Sequence, residues 1–232
     1  MDLEALKERA AQEALTRVTS GMRLGLGTGS TVFWFLKHLG AHLADGTLTD
    51  IAGVPTSERT VDLCREFGIP VRTLEDESTL DLGVDGADEV APGLDLIKGL
   101  GGALLREKMV ATACTHFVVI ADETKKVDAL GMRSPLPVEV VPFAWRSHVP
   151  FLIDLGSEPV LRTTADGEPY HTDNGNLILD CRFEGGMQRP AAEIEAELRL
   201  RPGIVESGLF LGMADEAVLA SGGGIEILAA GG

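Results

Sequence analysis

Apolar residues at Leu3, Leu6, Ala10, Leu15 and Val18 recur near a 3.6-residue period, which predicts an amphipathic helix at the start of the chain. The segment MRLGL, residues 22–26, then reads as a strand, GTGS breaks the pattern, and Val32, Leu36, Leu39 and Leu43 restore helical spacing. The same alternation continues. Strands are predicted at 49–54, 70–74, 80–84 and 116–122, with helices at 57–67 and 103–114. Strands and helices in turn indicate a parallel sheet covered on both faces.

After Lys126 the pattern changes. PLPVEVVPF, EPVLRTT and NLILDCRF read as strands, with helical stretches at WRSHVPFLIDL and PAAEIEAELRL, an order of split βαβ type. A small α+β domain is therefore expected at 132–205, and a main domain over 1–131 plus 206–232. GLFLGMADEAVLAS is expected to return to the first sheet as short apolar strands.

Composition narrows the function. The chain has 232 residues, 44% hydrophobic and 24% charged, the proportions of a folded globular protein. Its 20 Lys plus Arg against 36 Asp plus Glu give a net charge of −16, which repels a phosphate backbone and argues against nucleic acid as a partner. No apolar run approaches membrane-spanning length, and MDLEALKERA lacks the apolar core of a secretion signal, so a cytoplasmic protein is expected. Cys64, Cys114 and Cys181 are widely spaced and read as buried free thiols. His38 and His42 lie one helical turn apart, but no HExxH surrounds them, and a solvated helix face is the better reading.

Three loops are able to carry chemistry. In GLGTGSTV the glycines allow a tight turn while Thr28, Gly29, Ser30 and Thr31 lead into a helix, whose first N–H groups and dipole attract an anion. Ser30 replaces the third glycine of a dinucleotide fingerprint, and the lysine of a Walker loop is missing, so a compact terminal phosphate suits the turn better than a pyrophosphate. In LDLGVDGADEV an apolar strand runs into Asp85, Gly86, Ala87 and Asp88. That is where ligands bind in doubly wound folds, although an Asx turn explains the pair equally well. In LIKGLGGALLREKMV, Lys98 ends a strand beside Gly99, Leu100 and Gly101, and Glu107 follows on a helix. A cationic, donor-rich pocket with a base is one reading, and three solvated helix charges, Arg106, Glu107 and Lys108, are the other.

The segments GLGTGST, DGADE, IKGLGGALLREK, IADETKK, LPVEVVPF, TDNGN and GIVESGLF, in this order, resemble the signature segments of type A ribose-5-phosphate isomerases. The resemblance implies a Rossmann-like α/β domain with a smaller ferredoxin-like α+β domain, a homodimer or homotetramer, and no metal or organic cofactor. It also implies interconversion of ribose 5-phosphate and ribulose 5-phosphate in the pentose phosphate pathway. Carried onto this chain, it makes Thr28 to Thr31 the first substrate loop, Lys7 and Lys125 phosphate cations, and Gly86 and Ala87 substrate-lining residues. By the same resemblance Asp85 would assist ring opening and Asp88 would help move the hydroxyl proton. It further implies that Lys98 would stabilise the enediolate, Gly99 to Gly101 would supply backbone donors, and Glu107 would be the base.

The chain departs from the commonest family pattern at Leu100, where glycine is frequent, and at Leu105, where threonine is frequent. Two other classes stay open at this point. A sugar-phosphate sensor would normally carry a helix-turn-helix module, yet the isomerase-like sheet begins by residue 22. An acyl-CoA transferase of related fold would use a glutamate as nucleophile.

Overall fold

The structure, a computed structural model, describes residues 2–231. The chain forms two compact units. One comprises the chain up to Ala87, Arg106–Lys126 and everything from Gly212 on, and the other comprises Asp88–Leu105 and Val127–Leu211.

The first unit is built on a six-stranded sheet in the order Gly224–Ala229, Glu216–Ser221, Phe117–Asp122, Leu82–Gly86, Arg23–Leu26, Ala52–Pro55. All neighbours are parallel except the first two, which form an antiparallel hairpin. Every residue of Phe117–Asp122 is buried, as expected of a strand covered on both faces. Strand alternation divides the two layers. Leu24, Leu26, Leu82, Val84, Val118 and Ile120 join a core with Leu6, Ala10, Phe35 and Leu39 of the helices Leu3–Leu15 and Ser30–Ala44. On the other face Gly25 and Gly83 leave room for Cys114, which a Cβ at either glycine would press on, and Gly25 leaves room for Val110 as well.

The second unit carries a four-stranded antiparallel sheet in the order Ile204–Ser207, Leu136–Val140, Leu177–Arg182, Glu158–Leu161. Numbered along the chain this order is 4-1-3-2, and with helices at Val149–Asp154 and Ala191–Leu200 it is the ferredoxin-like split βαβ arrangement. The TDNGN segment is tied down here. Thr172, Asn174 and Asn176 each donate to Oε1 of the fully buried Glu139, at 2.9, 3.2 and 2.9 Å.

Residues 88–105 also belong to this unit, which is thus wider than the 132–205 read from the sequence. Leu96–Ile97 pairs with both Glu89–Val90 and Leu209–Phe210 in a three-stranded sheet, and Ala91 and Ile97 enter the same core as Leu136, Val138 and Leu179. Glu89, fully buried, accepts the backbone N–H groups of Gly131, Arg133 and Ser134, each at 2.6 Å.

Several elements differ from expectation. The stretch 70–74 forms only an isolated bridge, Gly53 with Val71, rather than a strand. The helix expected at 145–155 begins as a 3₁₀ turn, Trp145–His148, and becomes α-helical where Pro150 fits the first turn of Val149–Asp154. Of GLFLGMADEAVLAS, only Glu216–Ser221 enters the first sheet, while Leu209–Phe210 pairs in the second unit. A final strand, Gly224–Ala229, went unread because its glycines and half-exposed residues carry no clean alternation.

Candidate active site

In the first unit the chain order of the strands reverses beside Arg23–Leu26, between its neighbours Ala52–Pro55 and Leu82–Gly86, which makes this the topological switch point. The carboxyl ends of Arg23–Leu26 and Leu82–Gly86 run into the GTGS turn and into Asp85. Gly27 donates to the Val84 carbonyl at 3.0 Å, and Thr28 N–H donates to Asp85 Oδ1 at 3.1 Å. Gly86 N–H meets the same oxygen at 2.7 Å, and Asp85 is only 2% exposed. Gly27 has to be glycine, since a Cβ there would lie 2.2 Å from the Asp85 carboxylate. Gly29 precedes the helix at φ 123° with open space around its missing side chain. The backbone N–H groups that follow are therefore approachable at the positive end of a helix dipole. Ser30 is exposed and Thr31 is buried as that helix begins.

Behind the turn lies a hydroxyl cluster that sequence reading missed. Thr28 Oγ1 stands 2.7 Å from Thr56 Oγ1, 2.8 Å from Ser57 Oγ and 3.1 Å from Thr60 Oγ1. Thr60 in turn donates to the Gly27 carbonyl at 2.8 Å. Ser57 caps the helix Glu58–Glu66 by accepting from Thr60 N–H. The signal was present in PTSERT as an N-cap serine with hydroxyls on either side, but nothing local says that it faces the glycine turn.

Lys7 and Lys125 both belong to this unit. Lys7 pairs with Glu4 at 2.7 Å, and Glu4 also accepts from Trp34 Nε1 at 3.1 Å, which ties Lys7 to the helix that the glycine turn opens. Those two hydrogen bonds lower the Glu4 pKa. Lys125 lies in the turn Glu123–Lys125, just beyond the carboxyl end of Phe117–Asp122 and so on the same sheet edge as Asp85. Asp122 caps that turn by accepting from Thr124 N–H at 3.0 Å. Glu107 is in the first turn of the helix Leu104–Ala113 and is 5% exposed, as is Lys108. The solvated reading of these charges is thereby overturned; only Arg106, which pairs with Glu58 at 2.8 Å, is partly open.

In the second unit Asp88 and the glycine loop are joined. Asp88 Oδ2 accepts the Leu100 N–H at 3.0 Å, and Asp88 N–H bonds the Ile97 carbonyl at 2.8 Å. Leu100's amide is thus directed at a carboxylate, while its side chain is exposed. Lys98 is 2% exposed, its N–H bonds the Gly208 carbonyl at 2.9 Å, and its ammonium lies 5.4 Å from the centre of the Phe210 ring. Gly208 is required at this approach, because a Cβ would come within 2.2 Å of the Lys98 carbonyl. The loop closes through Gly102 N–H to the Gly99 carbonyl at 2.9 Å.

Among the described residues no group of three or more His, Cys, Asp or Glu side chains is arranged to hold a metal, and no helix is long and apolar enough to cross a membrane. His38 meets Glu8 at 2.9 Å. Cys64 and Cys181 are buried and Cys114 half-buried, and burial pushes all three thiols up to about 12.

A doubly wound sheet with an anion-accepting turn at its switch point, in one chain with a ferredoxin-like unit bearing a buried lysine, defines the class as a two-unit α/β protein of Rossmann-like type. Comparison with known proteins makes this specific. The family profile described as ribose 5-phosphate isomerase A (phosphoriboisomerase A) matches residues 52–224. The ribose-5-phosphate isomerase A of Roseiflexus castenholzii is 54% identical, over 97% of this chain and 95% of its own. Among solved structures, a D-ribose-5-phosphate isomerase in complex with phospho-erythronic acid superposes with a TM-score of 0.95 at 40% identity, covering 99% of this chain and all of its own. The ribose 5-phosphate isomerase of Plasmodium falciparum gives 0.94 at 36% identity, covering 97% and 98%. The chain belongs to the ribose 5-phosphate isomerase A family.

Proposed function

We propose that this chain interconverts D-ribose 5-phosphate and D-ribulose 5-phosphate through a cis-enediolate, with Glu107 as the base that carries the proton between C2 and C1. Family membership supports the reaction, and the burial of Glu107 on a helix that follows the Lys98 loop is the observation that carries the assignment of roles. A carboxylate shielded from water serves proton transfer in a way that a solvated one does not.

The N–H groups of the Thr28 to Thr31 turn, with Lys7 and Lys125, hold the phosphate. Gly86 and Ala87 line the sugar. Asp85, fixed by two backbone N–H groups, assists opening of the furanose. Glu107 takes the C2 proton, the electrons of that bond form the C1–C2 double bond, and the aldehyde oxygen becomes an oxyanion facing Lys98 and the amides of Gly99 and Gly101, while the Leu100 amide holds Asp88. Glu107 returns the proton to C1, while Asp88 takes the O2 proton and passes one to O1 as O2 becomes the ketone. The protein works in the cytoplasm as a homodimer or homotetramer, and its net charge of −16 speaks against a nucleic-acid partner.

The test is a direct assay of ribulose 5-phosphate formation with chelator present, run on the native protein and on Glu107→Gln. The native protein should turn over unaffected by chelator. The variant should still bind substrate, lose at least about 10⁴-fold in turnover, and release no C2 label from deuterated substrate to water or to C1. Near-normal turnover in the variant would move the base to another carboxylate. Acyl exchange with coenzyme A, or sugar phosphate binding without turnover in the native protein, would replace the isomerase reading altogether.

A further inference from the structure

We infer that Arg162 is a positioning residue for the catalytic glycine loop, fixing the direction of its amide donors from the carbonyl side. The inference rests on the reading that the loop 99–101 supplies donors to the enediolate.

The Arg162 Nη1 donates to the Gly99 carbonyl and to the Leu100 carbonyl, both at 3.0 Å. Its Nε and Nη2 form a two-pronged pair with Asp180, at 2.9 and 2.5 Å. The side chain is 12% exposed, and its guanidinium lies 5.8 Å from the Tyr170 ring centre. The Tyr170 hydroxyl fills the space where a side chain on Gly102 would stand, 2.2 Å from the Cβ position. The loop is therefore gripped at Gly99, Leu100 and Gly102 by Arg162, which directly follows the strand Glu158–Leu161, and by Tyr170 further along the same segment.

Peptide geometry turns this grip into a functional statement. Among the described residues no peptide bond is cis, and in a trans peptide the C=O and N–H point in opposite directions. The carbonyls of Gly99 and Leu100 belong to the same peptides as the N–H groups of Leu100 and Gly101. With both carbonyls held on one guanidinium, both N–H groups are aimed to the other side. Asp88 marks that side, since its Oδ2 receives the Leu100 N–H. A cation on the carbonyl oxygens also polarises each peptide and strengthens its N–H as a donor. Asp180 supplies the orientation: two bonds to one carboxylate fix the plane of the guanidinium and so where its remaining nitrogen points. A surface arginine kept for charge alone would need neither the fork nor the two carbonyls.

The experiment compares Arg162→Met, which keeps length and packing, with Arg162→Lys and Asp180→Asn. Steady-state kinetics with ribose 5-phosphate are measured alongside inhibition by the hydroxamate of 4-phosphoerythronic acid, a planar mimic of the enediolate. Arg162→Met should lower kcat by about 10- to 100-fold, less than the 10²–10³ typical of removing a direct donor, because the amides remain and only their aim is lost. KM should move by less than about threefold, and hydroxamate affinity should fall in parallel with kcat/KM. Arg162→Lys should recover part of the loss, and Asp180→Asn should show the same pattern more weakly. Unchanged kcat and hydroxamate affinity in Arg162→Met, or an equal loss of substrate and hydroxamate affinity, would overturn the inference. If Arg162→Met does not fold, Asp180→Asn decides it by the same two readouts. Glu107→Gln run in parallel separates the levels: its inactivity beside a normal Arg162→Met sinks only the positioning role, whereas normal turnover in Glu107→Gln sinks the reading beneath it.

Discussion

Thr28 and Asp85 are coupled by a 3.1 Å hydrogen bond from the backbone N–H of one to the carboxylate of the other. The bond joins the anion turn after one strand to the carboxylate ending the next, across the switch point of the sheet. The phosphate binding proposed for the turn and the placement of Asp85 are consequently one geometric problem, and Gly27 is what lets the two approach.

Gly27→Ala is therefore expected to damage chemistry more than folding. Its Cβ would fall 2.2 Å from the Asp85 carboxylate, so Asp85 has to move. Overpacking of this kind costs about 1–3 kcal/mol of stability, which a thermal melt should register as a modest loss. Turnover should fall by at least about tenfold, since roughly 1 Å of misplacement is enough for that. A variant with normal kcat would show that Asp85 tolerates displacement and has no part in ring opening.

The hydroxyl cluster gives a second expectation. Thr60→Val keeps shape but removes the donor to the Gly27 carbonyl and a neighbour of Thr28 Oγ1. Leaving a buried carbonyl without its donor costs about 1–3 kcal/mol, to be read from urea unfolding. KM for the sugar phosphate should rise with little change in kcat. A stable variant with unchanged KM would confine the cluster to capping the helix Glu58–Glu66.

Lys125→Ala should raise KM by about tenfold or more and leave kcat nearly intact, because a phosphate contact is felt in ground and transition states alike. Inhibition by inorganic phosphate should weaken in step. An equal loss with unphosphorylated ribose as substrate would show that Lys125 does not read the phosphate.

The parts of this molecule legible in its sequence are those whose signal is local. The strand, glycine turn and helix at 22–44 are written in apolar spacing and turn residues, and so is the split βαβ order of the second unit. Burial of a charge is not local. Local sequence left Arg106, Glu107 and Lys108 open to two readings, a base beside a cationic loop or three solvated charges, and two of the three are buried, which depends on what packs over the helix. Arg162 was invisible for the same reason, standing 62 positions from Leu100, whose carbonyl it holds. The excursion 88–105 joins the second unit through its pairing with Leu209–Phe210, a contact that no periodicity announces. Glu89 sat unremarked inside DGADE beside the two aspartates, its work being to hold backbone N–H groups more than forty positions away.

Stability should also carry a signature of His148. The ring is 3% exposed, its Nδ1 accepts from Arg201 Nε at 3.0 Å, and a side chain on Gly203 would collide with it. Burial first, and the Arg201 charge second, lower its pKa below the model-peptide 6.5. The folded protein therefore holds this ring neutral under conditions where the unfolded chain protonates it, so the unfolded state binds more protons and stability rises with pH. The His148 contribution is complete above about pH 6.5 and is lost as pH falls below it, with a slope no steeper than about 1.4 kcal/mol per pH unit for one proton. His148→Gln offers Arg201 an amide oxygen as acceptor and cannot titrate. Urea unfolding from pH 8 to 5.5 should show the native protein losing stability faster than the variant below about pH 6.5 and in parallel with it above. Parallel curves over the whole range would mean that protonated His148 is accommodated in the fold, with Arg201 swinging away from the ring.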